Sequence, residues 1–127
     1  MAKSKEKITV PSINHIIQDL TKKKLQPIYY LFGEDRYSID QTIREIKRFV
    51  EPLILSEFDK EIIEPEKKQK ISPIIDIAMS FPFGGGKKLL VINNFEKIDD
   101  KNLLVDYISY PTDFTVLIIS DYRKINN

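Results

Sequence analysis

Three stretches of this chain run apolar almost without interruption rather than at every second position: Ile28-Tyr29-Tyr30-Leu31-Phe32, Leu89-Leu90-Val91-Ile92 and residues 114–119, where only Thr115 is polar. A strand with one face in water alternates in character, whereas a strand apolar throughout needs cover on both faces, as in a parallel sheet held between helices. Between these runs apolar residues return at helical spacing. Ile13, Ile16, Ile17 and Leu20 follow Ser12, a fitting N-cap, and Ile39, Ile43, Ile46 and Val50 recur at intervals of four, three and four until Pro52. Ile71, Ile74, Ile75 and Ala78 accompany Ser72-Pro73, the order expected of an N-cap followed by the first helical residue. Asp99 is the expected cap of a helix carrying Leu103, Leu104, Tyr107 and Ile108. Phe58 with Ile62-Ile63 is expected to form a short strand, and the charged residues 64–70 a solvated loop. The order α-β-α-β-α-β-α-β predicts a three-layer α/β/α domain with a mainly parallel sheet.

At 127 residues, 42% hydrophobic and 31% charged, the chain suits one water-soluble domain with its own core. Its 20 basic and 19 acidic residues leave a net charge of +1, so bulk charge does not draw it to nucleic acid or to an anionic membrane. Without cysteine there is neither a disulfide framework nor thiolate chemistry, and the lone His15 cannot assemble a histidine metal site. Met1-Ala2-Lys3-Ser4-Lys5-Glu6-Lys7 lacks the apolar core of a signal peptide, and no run is long enough to span a bilayer. A cytoplasmic, unanchored protein without metal or cofactor is the expectation. Beyond its last strand the chain adds only residues 120–127, without a closing helix, which suggests a piece of a longer protein.

A nucleotide is the first ligand to consider, because the turn after the first strand of such a fold leads to a helix amino terminus suited to phosphate. Here that turn reads Gly33-Glu34-Asp35-Arg36-Tyr37-Ser38. A phosphate-binding loop needs successive amides and a lysine around the phosphates. Only one glycine of that pattern is present, and two carboxylates stand where the phosphates would lie. Gly33 is expected to permit a tight turn and the acids to favour the helix start. The run Gly84-Gly85-Gly86-Lys87-Lys88 leads into a strand instead of leaving one, so its lysines are expected on an exposed edge. After Ile92 come Asn93 and Asn94, where a nucleotide hydrolase carries an aspartate that helps hold Mg²⁺.

No nucleophile-and-base constellation replaces the nucleotide site. His15 lies near apolar positions of the first helix, and Asp76, Asp99 and Asp100 lie near helix ends, where capping accounts for them. Ser120-Asp121 ends the last strand, a position where α/β folds place ligands. Direct DNA binding through Lys22, Lys23, Lys24, Lys67, Lys68, Lys70, Lys87 and Lys88 is disfavoured, because acids intersperse them and no aromatic residues interleave to stack on bases. A nucleotide-binding switch domain with an unconventional phosphate loop remains the alternative function.

The connection Ala78-Met79-Ser80-Phe81-Pro82-Phe83-Gly84-Gly85-Gly86-Lys87-Lys88 is anomalous, because it places two phenylalanines on a segment that should be polar. Burying a phenylalanine contributes roughly 1.5–3 kcal/mol. Two of them beside conformationally free glycines therefore need cover, either from the domain's own core or from a partner.

Three segments resemble one family in the right order across most of the chain: Pro27-Ile28-Tyr29-Tyr30-Leu31-Phe32-Gly33-Glu34-Asp35, the pair Phe58-Asp59, and Ala78-Met79-Ser80 through Pro82-Phe83 to Lys87-Lys88-Leu89-Leu90-Val91-Ile92. They are similar to the opening, strand-end and loop motifs in the amino-terminal domain of the delta subunit of the bacterial DNA polymerase III clamp loader. The resemblance implies an AAA+-like domain of the P-loop NTPase type without a functional P-loop, occupying residues 1–127, with the middle and carboxyl-terminal collar domains absent. It implies a non-catalytic role: binding the ring-shaped sliding clamp (beta subunit) and helping to open it for loading onto DNA. Gamma/tau and delta prime subunits would be further partners of the full-length protein, with DNA engaged only through the assembled complex and no membrane. Carried across by this resemblance, Phe83 matches the aromatic anchor that enters the clamp's hydrophobic pocket, Pro82 its neighbour, and Met79 and Phe81 additions to the wedge. The triple glycine is looser than the family pattern and would leave Phe83 loosely held.

Overall fold

The computed structural model describes residues 16, 18–20, 22 and 24–122. In chain order its elements are β1 (Ile28–Gly33), α1 (Arg36–Val50), β2 (Lys60–Ile63), β3 (Gln69–Lys70), α2 (Ser72–Met79), β4 (Lys88–Ile92), β5 (Ile98–Asp99), α3 (Leu104–Ser109) and β6 (Thr115–Tyr122). Residues 16 and 18–20 are helical as expected, whereas Ser12 and His15 lie outside the described residues.

The strands pair in the order β1-β6-β4-β2, every pair parallel. Successive side chains of a strand point to opposite faces, and both faces are covered over β4 and β6, whereas Tyr30 and Phe32 on the edge strand β1 stay 39% and 40% exposed, so that run is not covered on both sides as expected. Leu89, Val91, Val116 and Ile118, with Tyr29 and Leu31, meet Ile39, Ile43, Ile46 and Val50 of α1 together with Ile16 and Leu20. Leu90, Ile92, Leu117 and Ile119 meet Ile71, which precedes α2, Ile74 and Ala78 of α2, and Leu104 and Tyr107 of α3. Two apolar layers on one sheet leave no solvent side on β4 and β6, which is why those runs do not alternate. The expected α/β layering with a parallel sheet is therefore the observed one.

Several local expectations need correction. Ile71, not Ser72, is the cap residue of α2, and no side-chain bond caps that end. Asp99 does not cap α3 but lies in β5, which pairs with β3, and its carboxylate meets Lys68 Nζ at 3.4 Å. The segment 64–70 thus ends in a short ladder rather than remaining loop. A 3-10 turn, Lys101–Leu103, precedes α3, and Leu103 and Ile108 stay exposed. Phe58 belongs to a 3-10 turn, Glu57–Asp59, ahead of β2 rather than to a strand. The last strand starts one residue later than expected, at Thr115, and continues to Tyr122.

The turn after β1 behaves as the sequence suggests. Gly33 adopts φ +145°, a conformation side-chain-bearing residues rarely take. Asp35 caps α1: its Oδ1 accepts from Ser38 N at 3.2 Å and its Oδ2 from Ser38 Oγ at 2.7 Å. The Ser38 bonds hold the Asp35 carboxyl below its ordinary value of 3.8. A lowered carboxyl value stabilises the fold above the unfolded value, and the benefit is lost as pH falls through the folded one. Asp35→Ala should therefore lower the melting temperature near neutrality, and the gap from the parent should close on acidification below the carboxylate range, as thermal melts across pH would show.

Candidate functional site

In a parallel sheet all strands start at one end, and here that end gathers the unusual residues. The connection from α2 into β4, the turn before β2 and the residue before β6 lie together there, opposite the strand ends that receive a nucleotide in folds of this type. Phe81 and Phe83 are 80% and 79% exposed, so neither ring roofs the core. Met79, at the last turn of α2, is 56% exposed, and Pro82 is half-buried. Met79, Phe81 and Phe83 are thus exposed within one five-residue segment, with Pro82 partly buried between them in sequence.

Aromatic neighbours that the sequence reading did not assign to the site extend it. Phe58 is 79% exposed and its ring lies 5.7 Å from that of Phe83, while Phe114 lies 5.2 Å from Phe81. Leu53 and Leu55 add exposed apolar surface alongside. Contiguous apolar surface of this kind marks interaction sites in folded proteins. Phe58 joins it through the β2–β4 pairing, which sets Lys60 beside Leu89, and through Asp59, whose carboxylate accepts from Phe83 N and Gly84 N; no local pattern announces that neighbour.

The loop is less free than three glycines suggest. A Cβ on Gly84 would stand 2.7 Å from the Leu55 carbonyl carbon, and one on Gly86 would meet the Leu53 carbonyl oxygen still closer. Both glycines therefore serve close packing against residues 53–56, and only Gly85, at φ +80°, uses glycine's conformational range. Lys87 N donates to Leu53 O at 2.8 Å, and Gly85 N to Pro82 O at 3.3 Å.

The two lysines are not an exposed edge. Lys88 is 5% exposed, and its Nζ donates to Ile77 O at 2.9 Å and to both Ser80 O and Ser80 Oγ at 2.6 Å. Burial holds its ammonium below the ordinary value of 10.5, with the Asp59 and Glu61 charges opposing that fall. Lys87 Nζ donates to Asp113 O. With Lys68 against Asp99, three of the lysines considered for DNA already have partners within the chain.

At the opposite end of the sheet, the Asp35 carboxylate occupies the amino terminus of α1 that a phosphate loop would use. Asn93 Oδ1 accepts from Ser120 Oγ at 2.8 Å, and Asp121 Oδ2 accepts from Tyr30 Oη at 2.8 Å. The strand-end pair Ser120-Asp121 is thereby tied to neighbouring strands. Among the described residues no cluster of three or more histidine or acidic side chains could hold a metal ion, and no helix is long and apolar enough to cross a membrane.

Comparison with known proteins agrees with this architecture. The DNA polymerase III subunit delta of Bacillus subtilis (strain 168) is 27% identical over 120 residues, covering 86% of this chain and 34% of that protein. The chain therefore spans about a third of the length of that relative. Among solved structures, the Bacillus subtilis DNA clamp loader delta protein superposes with a TM-score of 0.75 at 25% identity, over 91% of this chain and 37% of that one. A DNA polymerase III gamma subunit-related protein from Thermotoga maritima shares the fold, with a TM-score of 0.63 at 17% identity over 89% of this chain and 40% of that one. The family model described as DNA polymerase III, delta subunit, matches residues 29–127, and with most of the chain inside that match, the chain belongs to the DNA polymerase III delta subunit family.

Proposed function

We propose that this chain is the amino-terminal, clamp-binding domain of a clamp-loader delta subunit, and that the apolar loop of residues 79–83 is the wedge that enters a hydrophobic pocket of the sliding clamp. The observation that carries this reading is the exposure of Phe81 and Phe83, at 80% and 79%, on a connection whose main chain is tied down. An apolar ring held in water gains its burial energy only when a partner covers it, and an aromatic anchor at an interface centre is worth about 2–4 kcal/mol. Family membership supplies the kind of partner.

In this reading the domain works in the cytoplasm and carries out no chemistry itself. It favours an open clamp by binding one protomer, while the gamma/tau and delta prime subunits and DNA meet it only in the assembled loader. The capped amino terminus of α1 supports the absence of nucleotide binding. Calorimetric titration of the chain into purified clamp tests the reading: saturable binding is expected, and no heat of binding at micromolar concentrations would contradict it. A parallel titration with a Mg²⁺-nucleotide should give no saturable binding, and micromolar affinity there would favour the nucleotide-switch alternative.

A further inference from the structure

Two charged side chains are buried beneath the apolar loop, and neither belongs to the apolar surface itself. Asp59 is 1% exposed, and its two carboxylate oxygens accept separately from consecutive amides of the loop: Phe83 N to Oδ1 at 2.7 Å and Gly84 N to Oδ2 at 2.9 Å. Lys88 holds the other end, donating to the carbonyl oxygens of Ile77 and Ser80 and to the Ser80 hydroxyl. Burying an ionised group is costly without partners, and these two find theirs mainly on the main chain of the loop and of the end of α2 that leads into it. Both ends of the short span 81–82 are consequently fixed, while the rings of Phe81 and of Phe83 beside it stay exposed.

We infer that Asp59 and Lys88 are positioning residues that hold the Phe81-Pro82-Phe83 loop in its clamp-binding conformation before the clamp arrives. The inference rests on the clamp-binding reading given above. Ordering one residue's backbone costs roughly 1–2 kcal/mol, and a loop already ordered does not lose that freedom again on association. If only a fraction of chains carry the loop in the competent form, the apparent affinity falls by that fraction. Hydrogen bonds from two amides to one buried carboxylate are charge-assisted and stronger than neutral ones, so this clip suits the task better than an asparagine would.

Asp59→Asn keeps the shape of the side chain but turns an NH₂ group toward one of the two amides. Lys88→Met keeps the apolar stem and removes the donor. For each variant the measurements are amide hydrogen exchange of Phe83 and Gly84 in the free chain, the melting temperature, and association and dissociation rates with the clamp. Faster exchange at those amides is expected, with association slowed at least about tenfold and dissociation little changed, since the loss lies in the competent fraction. A residue that only supported the fold would lower the melting temperature without slowing association selectively. Unchanged clamp kinetics in both variants beside a binding parent chain would overturn the positioning role alone. Failure of the parent chain to bind the clamp would overturn the clamp reading, and the positioning role with it.

Discussion

Phe83→Ala is expected to weaken binding to the sliding clamp by at least about tenfold, and by about 2–4 kcal/mol if the ring sits at the interface centre. The fold should barely notice. The ring is 79% exposed, and its aromatic contact is with Phe58, itself 79% exposed. Surface substitutions of that kind change stability by about 0.5 kcal/mol or less. Had Phe83 been core, the same truncation would have cost about 3–5 kcal/mol of stability. Calorimetry with the clamp together with a thermal melt separates the two: reduced affinity at unchanged melting temperature is the expected pair of results. Phe58→Ala, which removes the neighbouring ring, should move affinity in the same direction by a smaller amount.

Leu90→Ala should have the largest effect on stability. Leu90 is 0% exposed on β4, flanked by β6 and β2, with its side chain among Ile71, Ile74, Ala78 and Leu117. Replacing it removes methyl groups from the packed layer between sheet and helices and leaves a cavity that the surrounding strands cannot close. The expected cost is about 2–5 kcal/mol, a fall in melting temperature on the order of 10 °C for a domain of this size. Chemical denaturation of the two proteins side by side measures the difference directly. A loss well below 1 kcal/mol would mean that Leu90 does not lie in the layer described.

The parts of the fold that depend on burial were legible in the sequence. The run 89–92 is buried at every position between two layers, as its unbroken apolar character specified, whereas 28–32 forms an edge strand on which Tyr30 and Phe32 stay 39% and 40% exposed. The paired acids at Glu34-Asp35 argued against a phosphate, and Asp35 indeed caps the helix. What the sequence could not show were partners that leave no residue-type signature. Lys88 looks like a surface lysine because its acceptors are mostly main-chain carbonyls, those of Ile77 and Ser80. Asp59 looks like one more charge among Glu57, Lys60 and Glu61 because its donors are amides in a segment far along the chain. Gly84 and Gly86 read as freedom when they are close approach, since the atoms they make room for belong to Leu53 and Leu55. The ladder of β3 with β5 is too short for any periodicity to reveal it.

The proposed clamp contact can be mapped by recording backbone amide NMR shifts of the isotope-labelled chain while unlabelled clamp is added. The largest changes are expected on Phe58, Met79, Phe81, Phe83 and Gly84, at the end of the sheet where β2 and β4 begin. Changes confined instead to the aromatic group Tyr30, Phe32 and Phe95 at the β1 edge, or to the exposed residues Val105 and Ile108 of α3, would contradict that contact.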